Sequence, residues 1–244
     1  GAALAIKSGN AIILKGGREA GRTNLLLTEL LRRALSQSGL PEDCVQLFKG
    51  SREDLKKLLK RSDYVDLLVP RGGEGLLHFV RSNSDIPVLA AGGGNCHLYI
   101  HCDADVKTAV DVAVNAKTQK PSACNAIETL LVHERIAPSF LPAAAEALAA
   151  KGVELRCCPA SQEILEAFGV KAATEEDWAS EFLDLILAVK VVSGVEEAAG
   201  HINKYGTRHS DAIVTQDKGT ADFFCDEVDS ACVYWNASTR FTDG

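Results

Sequence analysis

The residue in this chain best suited to covalent chemistry is Cys124. It stands in Lys117-Thr118-Gln119-Lys120-Pro121-Ser122-Ala123-Cys124-Asn125-Ala126, which runs into Ile127-Glu128-Thr129-Leu130-Leu131-Val132-His133-Glu134. Pro121 stops any helix and biases Lys120 toward extended backbone. The small or polar neighbours Ser122, Ala123 and Asn125 put the thiol in open backbone, and Ile127 to Val132 reads as a buried strand. A thiol on a loop ahead of a core strand is held firmly and can still be reached, which suits a nucleophile. The competing reading is a small buried hydrophobe, the usual place of a free cysteine.

Two other groups of residues invite chemistry. Cys96, His97, His101 and Cys102 have the donor types of a metal site. In a strand, however, Cys96 and Cys102 face one side and His97 and His101 the other. Those four would not converge on one tetrahedral ion, so no metal site is expected. Arg71-Gly72-Gly73 falls between a strand pattern and a helix pattern, where backbone N–H groups and a helix start favour an anion such as a pyrophosphate. Gly92-Gly93-Gly94 is open to the same reading, and glycine-rich turns after strands are common in any case.

The elements that must position these groups alternate. Ala11 to Leu14 is an apolar run of the kind found in parallel strands covered on both faces. An amphipathic helix is expected over Asn24 to Ser36, with Leu26, Leu30, Leu31 and Ala34 inward. Strand Val45–Phe48, helix Arg52–Lys60, strand Tyr64–Val69, helix Gly75–Arg81 and strand Pro87–Leu89 follow. His97 to Cys102 is extended, and Asp103 to Ala116 is helical. After the cysteine loop, strands are expected at Ile127–His133, Val153–Arg156, Leu185–Val192, Asp211–Thr215 and Ala231–Trp235. Between them lie helices Pro142–Ala150, Ser161–Phe168, Val195–Tyr205 and Gly219–Asp226. This is an α/β pattern with open parallel sheets, and we place the domain boundary near His101, giving units 1–101 and 102–244.

Composition narrows the function. With 244 residues and 46% hydrophobic content the chain can build one large core or two modest ones. A net charge of -7 gives nucleic-acid binding no electrostatic support. No run approaches the ~20 apolar residues of a membrane span. The 8 cysteines lack framework spacing, with Cys157 and Cys158 adjacent, and no signal peptide is visible. Reduced thiols and a cytoplasmic location are therefore expected. The absence of methionine and the stop at Thr242-Asp243-Gly244 lead us to expect a segment of a longer protein.

The wording of the cysteine stretch, Pro121-Ser122-Ala123-Cys124-Asn125-Ala126-Ile127-Glu128-Thr129-Leu130-Leu131-Val132-His133-Glu134, closely resembles the catalytic-cysteine segment of the gamma-glutamyl phosphate reductases, members of the aldehyde dehydrogenase superfamily. Ser8 to Gly17, Val69 to Gly73, Val228 to Cys232 and Asn236 to Gly244 resemble further motifs of that family, in family order. The resemblance covers essentially the whole chain. It implies an aldehyde-dehydrogenase-like fold, with an NADPH-binding domain before the catalytic domain. Lys15 then falls at the family lysine that binds the adenine ribose. Arg18 stands where NAD-preferring relatives often carry a glutamate, which favours NADPH, because a guanidinium can bind the 2'-phosphate that a carboxylate repels. An ordinary solvated arginine is the alternative. Arg71, Gly72 and Gly73 become cofactor-binding candidates, and Glu181 resembles the glutamate that holds the nicotinamide ribose.

The resemblance also implies a reaction. Cys124 attacks the gamma-carbonyl of L-glutamyl 5-phosphate, phosphate leaves, and hydride from NADPH gives glutamate 5-semialdehyde. Lys117 and Lys120 are candidates to lower the thiol pKa and steady the phosphate, unless they are simply solvated. Asn125 and the loop Ser238-Thr239-Arg240 are the other substrate-binding candidates, Arg240 for the alpha-carboxylate; a plain surface loop is the alternative there. Ala91-Gly92-Gly93-Gly94-Asn95 lacks the glutamate with which hydrolytic relatives activate water. The superfamily's second oxyanion donor is expected before Gly1, so little activity is expected of this segment alone. A homo-oligomer is implied, with glutamate kinase as pathway partner or fused domain. Another acylating member of the superfamily, or a non-catalytic nucleotide-binding segment, remains open.

Overall fold

The computed structural model describes residues 1–89 and 92–242. Ala91 of the glycine-rich stretch, and Asp243 and Gly244 of the last motif, lie outside the described residues. The chain divides into a unit of Gly1–Pro70 with His78–Leu89 and a unit of Arg71–Leu77 with Ala90–Gly244.

The first unit begins with helix α1 (Ala2–Lys7) and a parallel pair, β1 (Ile12–Leu14) beside β2 (Val45–Leu47), with Ile12 opposite Val45. Helix α2 (Gly21–Gln37) joins them. Helix α3 (Arg52–Leu58) starts at a reciprocal cap in which Ser51 Oγ accepts the Asp54 N–H and Asp54 accepts the Ser51 N–H. Two expectations change here. Leu26, Leu30, Leu31 and Ala34, expected to face inward, are exposed, and only Thr28 and Leu35 of α2 are buried. The strands expected at Tyr64–Val69 and Pro87–Leu89 reduce to a single bridge between Leu68 and Val88. Helix α4 (Glu74–Asn83) has its first turn in the second unit.

Among the described residues, the second unit holds a seven-stranded sheet in which every pairing is parallel. In chain order the strands are β3 (Cys96–Ile100), β4 (Ile127–His133), β5 (Glu154–Cys157), β6 (Lys171–Ala172), β7 (Ile186–Val192), β8 (Ser210–Val214) and β9 (Cys232–Trp235). In space they run β6-β5-β7-β4-β3-β8-β9. Every residue of β3, β4 and β8 is buried, as expected of central parallel strands covered on both faces.

Period-two alternation sorts the strand residues between two cores. Leu98, Ile100, Leu130 and Val132 pack with Phe140, Leu141 and Leu148 in one. Tyr99, Leu131 and Ile213 pack with Ile202 and Phe224 in the other. Helices α5 (Val106–Thr118), α6 (Ala137–Ala149) and α7 (Pro159–Ile164) connect strands along the sheet, as do α8 (Val195–Tyr205) and α9 (Lys218–Glu227). Among these, α5 and α6 feed the first core and α8 and α9 the second.

The boundary expected near His101 does not coincide with the division of the structure. Strand β3, assigned to the first domain from sequence, pairs with β4 and β8 inside the second unit. Apolar periodicity marks a strand but not the sheet it joins. Among the described residues no helix is long and apolar enough to cross a membrane. All eight cysteines are free.

Candidate functional site

The site is built where α5 gives way to β4. Asp105 caps the start of α5 by accepting the Thr108 N–H at 2.8 Å. After Thr118 the chain turns twice, Ala123 N–H reaching Lys120 O at 3.1 Å and Ala126 N–H reaching Ala123 O at 2.9 Å. Cys124 lies on this turn and is exposed. Its main chain is pressed from behind. A Cβ on Gly94 would lie 1.6 Å from the Cys124 carbonyl oxygen and 2.5 Å from its Cα, so only glycine fits. The Cys96 thiol also donates to the Cys124 carbonyl, at 3.2 Å. The nucleophile candidate therefore has a fixed backbone and an open side chain.

The other cysteine thiols near the sheet differ. Burial pushes Cys96 well above the usual thiol range and Cys157 up to about 11. Neither supplies thiolate at neutral pH.

The loop after β9 docks on the cysteine loop. Thr239, fully buried, donates its hydroxyl to Asn125 O at 2.7 Å. The Asn125 side-chain amide donates to Thr242 O at 2.7 Å. Arg240 Nε donates to Gln119 Oε1 at 2.7 Å, and Ser238 Oγ accepts the Arg240 N–H at 3.2 Å. Thr242 is tied to Ser210 and Tyr234 through its hydroxyl, at 2.7 and 3.0 Å. So Asn125, Thr239 and Arg240, expected to contact substrate, are engaged in joining the two loops, while Ser238 caps the turn of its own loop. The Asn125 Oδ1 is buried with no partner among the described residues.

A second tier lies beneath. Glu181 Oε1 accepts the Gly94 N–H at 2.6 Å, so one oxygen of this ribose-binding candidate holds the glycine that backs Cys124. Asn95 donates its amide to Trp178 O at 2.8 Å and to Tyr205 O at 2.9 Å.

Lys117 does not sit where a substrate phosphate needs it. It is fully buried, with Nζ 2.5 Å from Glu128 Oε2, and Glu128 is fully buried too. Burial pushes the Glu128 carboxyl up to about 7 against the pull of Lys117, and burial pushes the Lys117 ammonium down. Glu128 Oε1 also accepts the N–H of Leu183, at 3.1 Å. Leu183 has a left-handed φ of 54°, uncommon for a branched side chain. The pair thus fixes the turn that follows Glu181. Glu128 was legible in the sequence as a lone carboxylate in an apolar strand, a pattern that demands a buried partner; its partner was not.

Lys15 and Arg18 are exposed in the first unit, just past the carboxyl end of β1. Arg71, Gly72 and Gly73 are exposed ahead of α4 and belong to the second unit. The structure gathers Cys124, Asn125, Gly94, Glu181, Thr239 and Arg240 into one connected set in the second unit.

Known proteins resemble this chain along its whole length. A gamma-glutamyl phosphate reductase of Clostridium perfringens (strain 13) is 51% identical over 244 residues, 100% of this chain and 58% of that protein. The crystal structure of gamma-glutamyl phosphate reductase from Thermotoga maritima superposes with a TM-score of 0.94 at 48% identity, covering 99% of this chain and 58% of that one. A glyceraldehyde-3-phosphate dehydrogenase of Methanocaldococcus jannaschii, solved with NADP, shares the fold at 16% identity, with a TM-score of 0.74 over 96% of this chain and 60% of that one. The chain thus spans 58% of the length of its gamma-glutamyl phosphate reductase relatives. A model of the aldehyde dehydrogenase family matches residues 1–156, well over half of the sequence, and this chain belongs to that family.

Proposed function

We propose that this chain is the cysteine-bearing part of a gamma-glutamyl phosphate reductase, an enzyme of proline biosynthesis that reduces L-glutamyl 5-phosphate to L-glutamate 5-semialdehyde with NADPH. The observation that carries the reading is the setting of Cys124: an exposed thiol on a backbone fixed by Gly94 and Cys96. That combination suits nucleophilic catalysis, which needs a placed but reachable thiolate.

The thiolate of Cys124 forms a bond to the gamma-carbonyl carbon, the bond from that carbon to the phosphate oxygen breaks, and inorganic phosphate leaves. The main-chain N–H of Cys124 faces the developing oxyanion. NADPH, when bound, supplies the hydride that reduces the thioester carbon. The carbon–sulfur bond then breaks, releasing the aldehyde and regenerating the thiolate. The sequence Ala91-Gly92-Gly93-Gly94-Asn95 carries no carboxylate to activate water, which protects the thioester from hydrolysis.

Residues of each unit, taken by itself, suit a part of the cofactor. Lys15 and Arg18 are exposed past the carboxyl end of a parallel strand, where open α/β sheets bind nucleotides. Lys15 serves the adenine ribose and Arg18 the 2'-phosphate. Arg71, Gly72 and Gly73 serve the pyrophosphate, and the second oxygen of Glu181 the nicotinamide ribose. Arg240 and Lys120 supply positive charge to substrate carboxylate and phosphate, whereas Lys117 acts by holding Glu128. The full-length enzyme is a cytoplasmic homo-oligomer supplied by glutamate kinase, separate or fused.

The test is covalent trapping. The full-length protein that carries this segment is mixed with glutamate, ATP and a glutamate kinase, without reduced cofactor, and peptides are mapped by mass. A glutamyl adduct on the Cys124 peptide is expected. An adduct formed from acyl-CoA but not from glutamyl phosphate would overturn the substrate assignment and favour a coenzyme-A-dependent relative.

A further inference from the structure

At the far end of β4 from Cys124 lies a second cluster of donor side chains. Strand β3 stops at Ile100, so His101 and Cys102 fall in the turn beyond it and are no longer bound to opposite faces. Strand β4 ends at His133, one step beyond the pairing of Ile100 with Val132. One donor atom from each of His101, Cys102 and His133 lies within 4.8 Å of the others. His133 is buried and the other two are half-buried.

One of the three separations already matches coordination. Cys102 Sγ lies 3.4 Å from His101 Nε2. Zinc bonds of ~2.3 Å to sulfur and ~2.0 Å to nitrogen at a tetrahedral angle require a separation of about 3.5 Å. The opposite ring nitrogen, His101 Nδ1, is 2.9 Å from the hydroxyl of fully buried Tyr99. With Nδ1–H donated to Tyr99, the Nε2 lone pair is aimed into the cluster, the outer-shell arrangement that orients metal-bound histidines. The His101 and His133 rings stand edge to face at 5.3 Å. His133 Nδ1 accepts the N–H of Arg135 at 3.1 Å. Coordination by Nδ1 would exchange that contact for metal.

We propose that His101, Cys102 and His133 form a binding site for zinc(II) that clips together the carboxyl ends of the two central strands, with water as the fourth ligand. One thiol and two imidazoles match zinc; a site for magnesium or calcium needs oxygen ligands that this cluster lacks. On binding, the Cys102 thiol gives its proton to solvent and the metal takes its place. The six steps of β4 separate the site from the cysteine loop by roughly 20 Å, so it is distinct from the Cys124 chemistry. Along one strand, Cys96, His97, His101 and Cys102 would not converge. In the structure Cys96 holds the Cys124 carbonyl and His97 holds Asp211, while His133 enters from the neighbouring strand.

The test uses the 244-residue chain carrying Cys124→Ser, to remove the exposed reactive thiol. Zinc is titrated against a chromophoric chelator, and cobalt(II) is added to the metal-free protein. One tight equivalent of zinc is expected, with a thiolate-to-cobalt charge-transfer band. Cys102→Ser should abolish that band, and Cys102→Ser and His133→Gln should each weaken zinc at least about ten-fold, whereas Cys225→Ser should leave binding unchanged. No tight equivalent, no charge-transfer band, or binding unaltered by Cys102→Ser would overturn the proposal. The cobalt spectrum needs no change at the proposed ligands, so the test survives a variant that fails to fold.

Discussion

The hydroxyl of Thr239 donates to the carbonyl of Asn125 across 2.7 Å, tying the loop after the last strand to the loop that carries Cys124. The bond is fully buried at Thr239 and joins residues that stand far apart in the chain. It turns two local motifs into one surface. Thr239→Val keeps the shape and removes the donor, leaving a buried carbonyl unpaired at a cost of ~1–3 kcal/mol. Chemical denaturation should show a loss of that size, and the Cys124 thiol should alkylate faster as its loop loosens. Unchanged stability and labelling would show that the bond does not hold the loop.

Gly94→Ala tests the backing of Cys124. Its Cβ would meet the Cys124 carbonyl oxygen at 1.6 Å, so the backbone must move. The variant should melt lower and form the glutamyl adduct at least about ten-fold more slowly, since small misplacements of a nucleophile are costly. Trapping at the parent rate would mean that the loop position is not critical.

Among the thiols, Cys124 should react first. Iodoacetamide at neutral pH, followed by peptide mapping, should label Cys124 well before Cys96 and Cys157, whose thiols are buried and raised. Cys124→Ser should abolish adduct formation, while Cys157→Ser and Cys158→Ser should be close to neutral. Comparable labelling of Cys96 would contradict the described burial.

The buried pair gives a stability prediction with a sign. Lys117→Met leaves Glu128 without its partner and should cost about 3–5 kcal/mol. Replacing both, Lys117→Met with Glu128→Gln, should recover most of that loss. In the parent, burial raises Glu128 from 4.5 to about 7, so the folded chain binds more protons than the unfolded chain between those values. Stability from this group is therefore greatest below the unfolded pKa and declines as pH rises through the folded one. Glu128→Gln should remove that decline, seen as the difference between the two pH profiles. Parallel profiles would argue against the shift.

Arg18 bears on cofactor choice. Arg18→Glu should weaken NADPH by about ten- to a hundred-fold more than NADH, the worth of one charge-assisted bond. Fluorescence titration of both cofactors decides it, and equal losses would separate Arg18 from the 2'-phosphate.

Local sequence determined most elements of the second unit and the setting of the thiol, though it did not show β6 and began α6 at Pro142, which lies inside the helix. The apolar runs Leu130–Val132 and Ala212–Val214 are central parallel strands because residues covered on both faces have no polar alternation to show. Pro121 ends α5 and puts Cys124 on a turn, as the backbone limits of proline require. Tertiary structure alone decided which distant groups meet. Periodicity says which face of a strand is apolar, but strand order sets its neighbours, and that order depends on the whole sheet. So β3 joined the second unit, Gly94 came to lie against Cys124, and His133 came beside His101. The same reason governs Lys117, whose charge reads as solvated in sequence. It is buried because Glu128 waits on the adjoining strand to receive it.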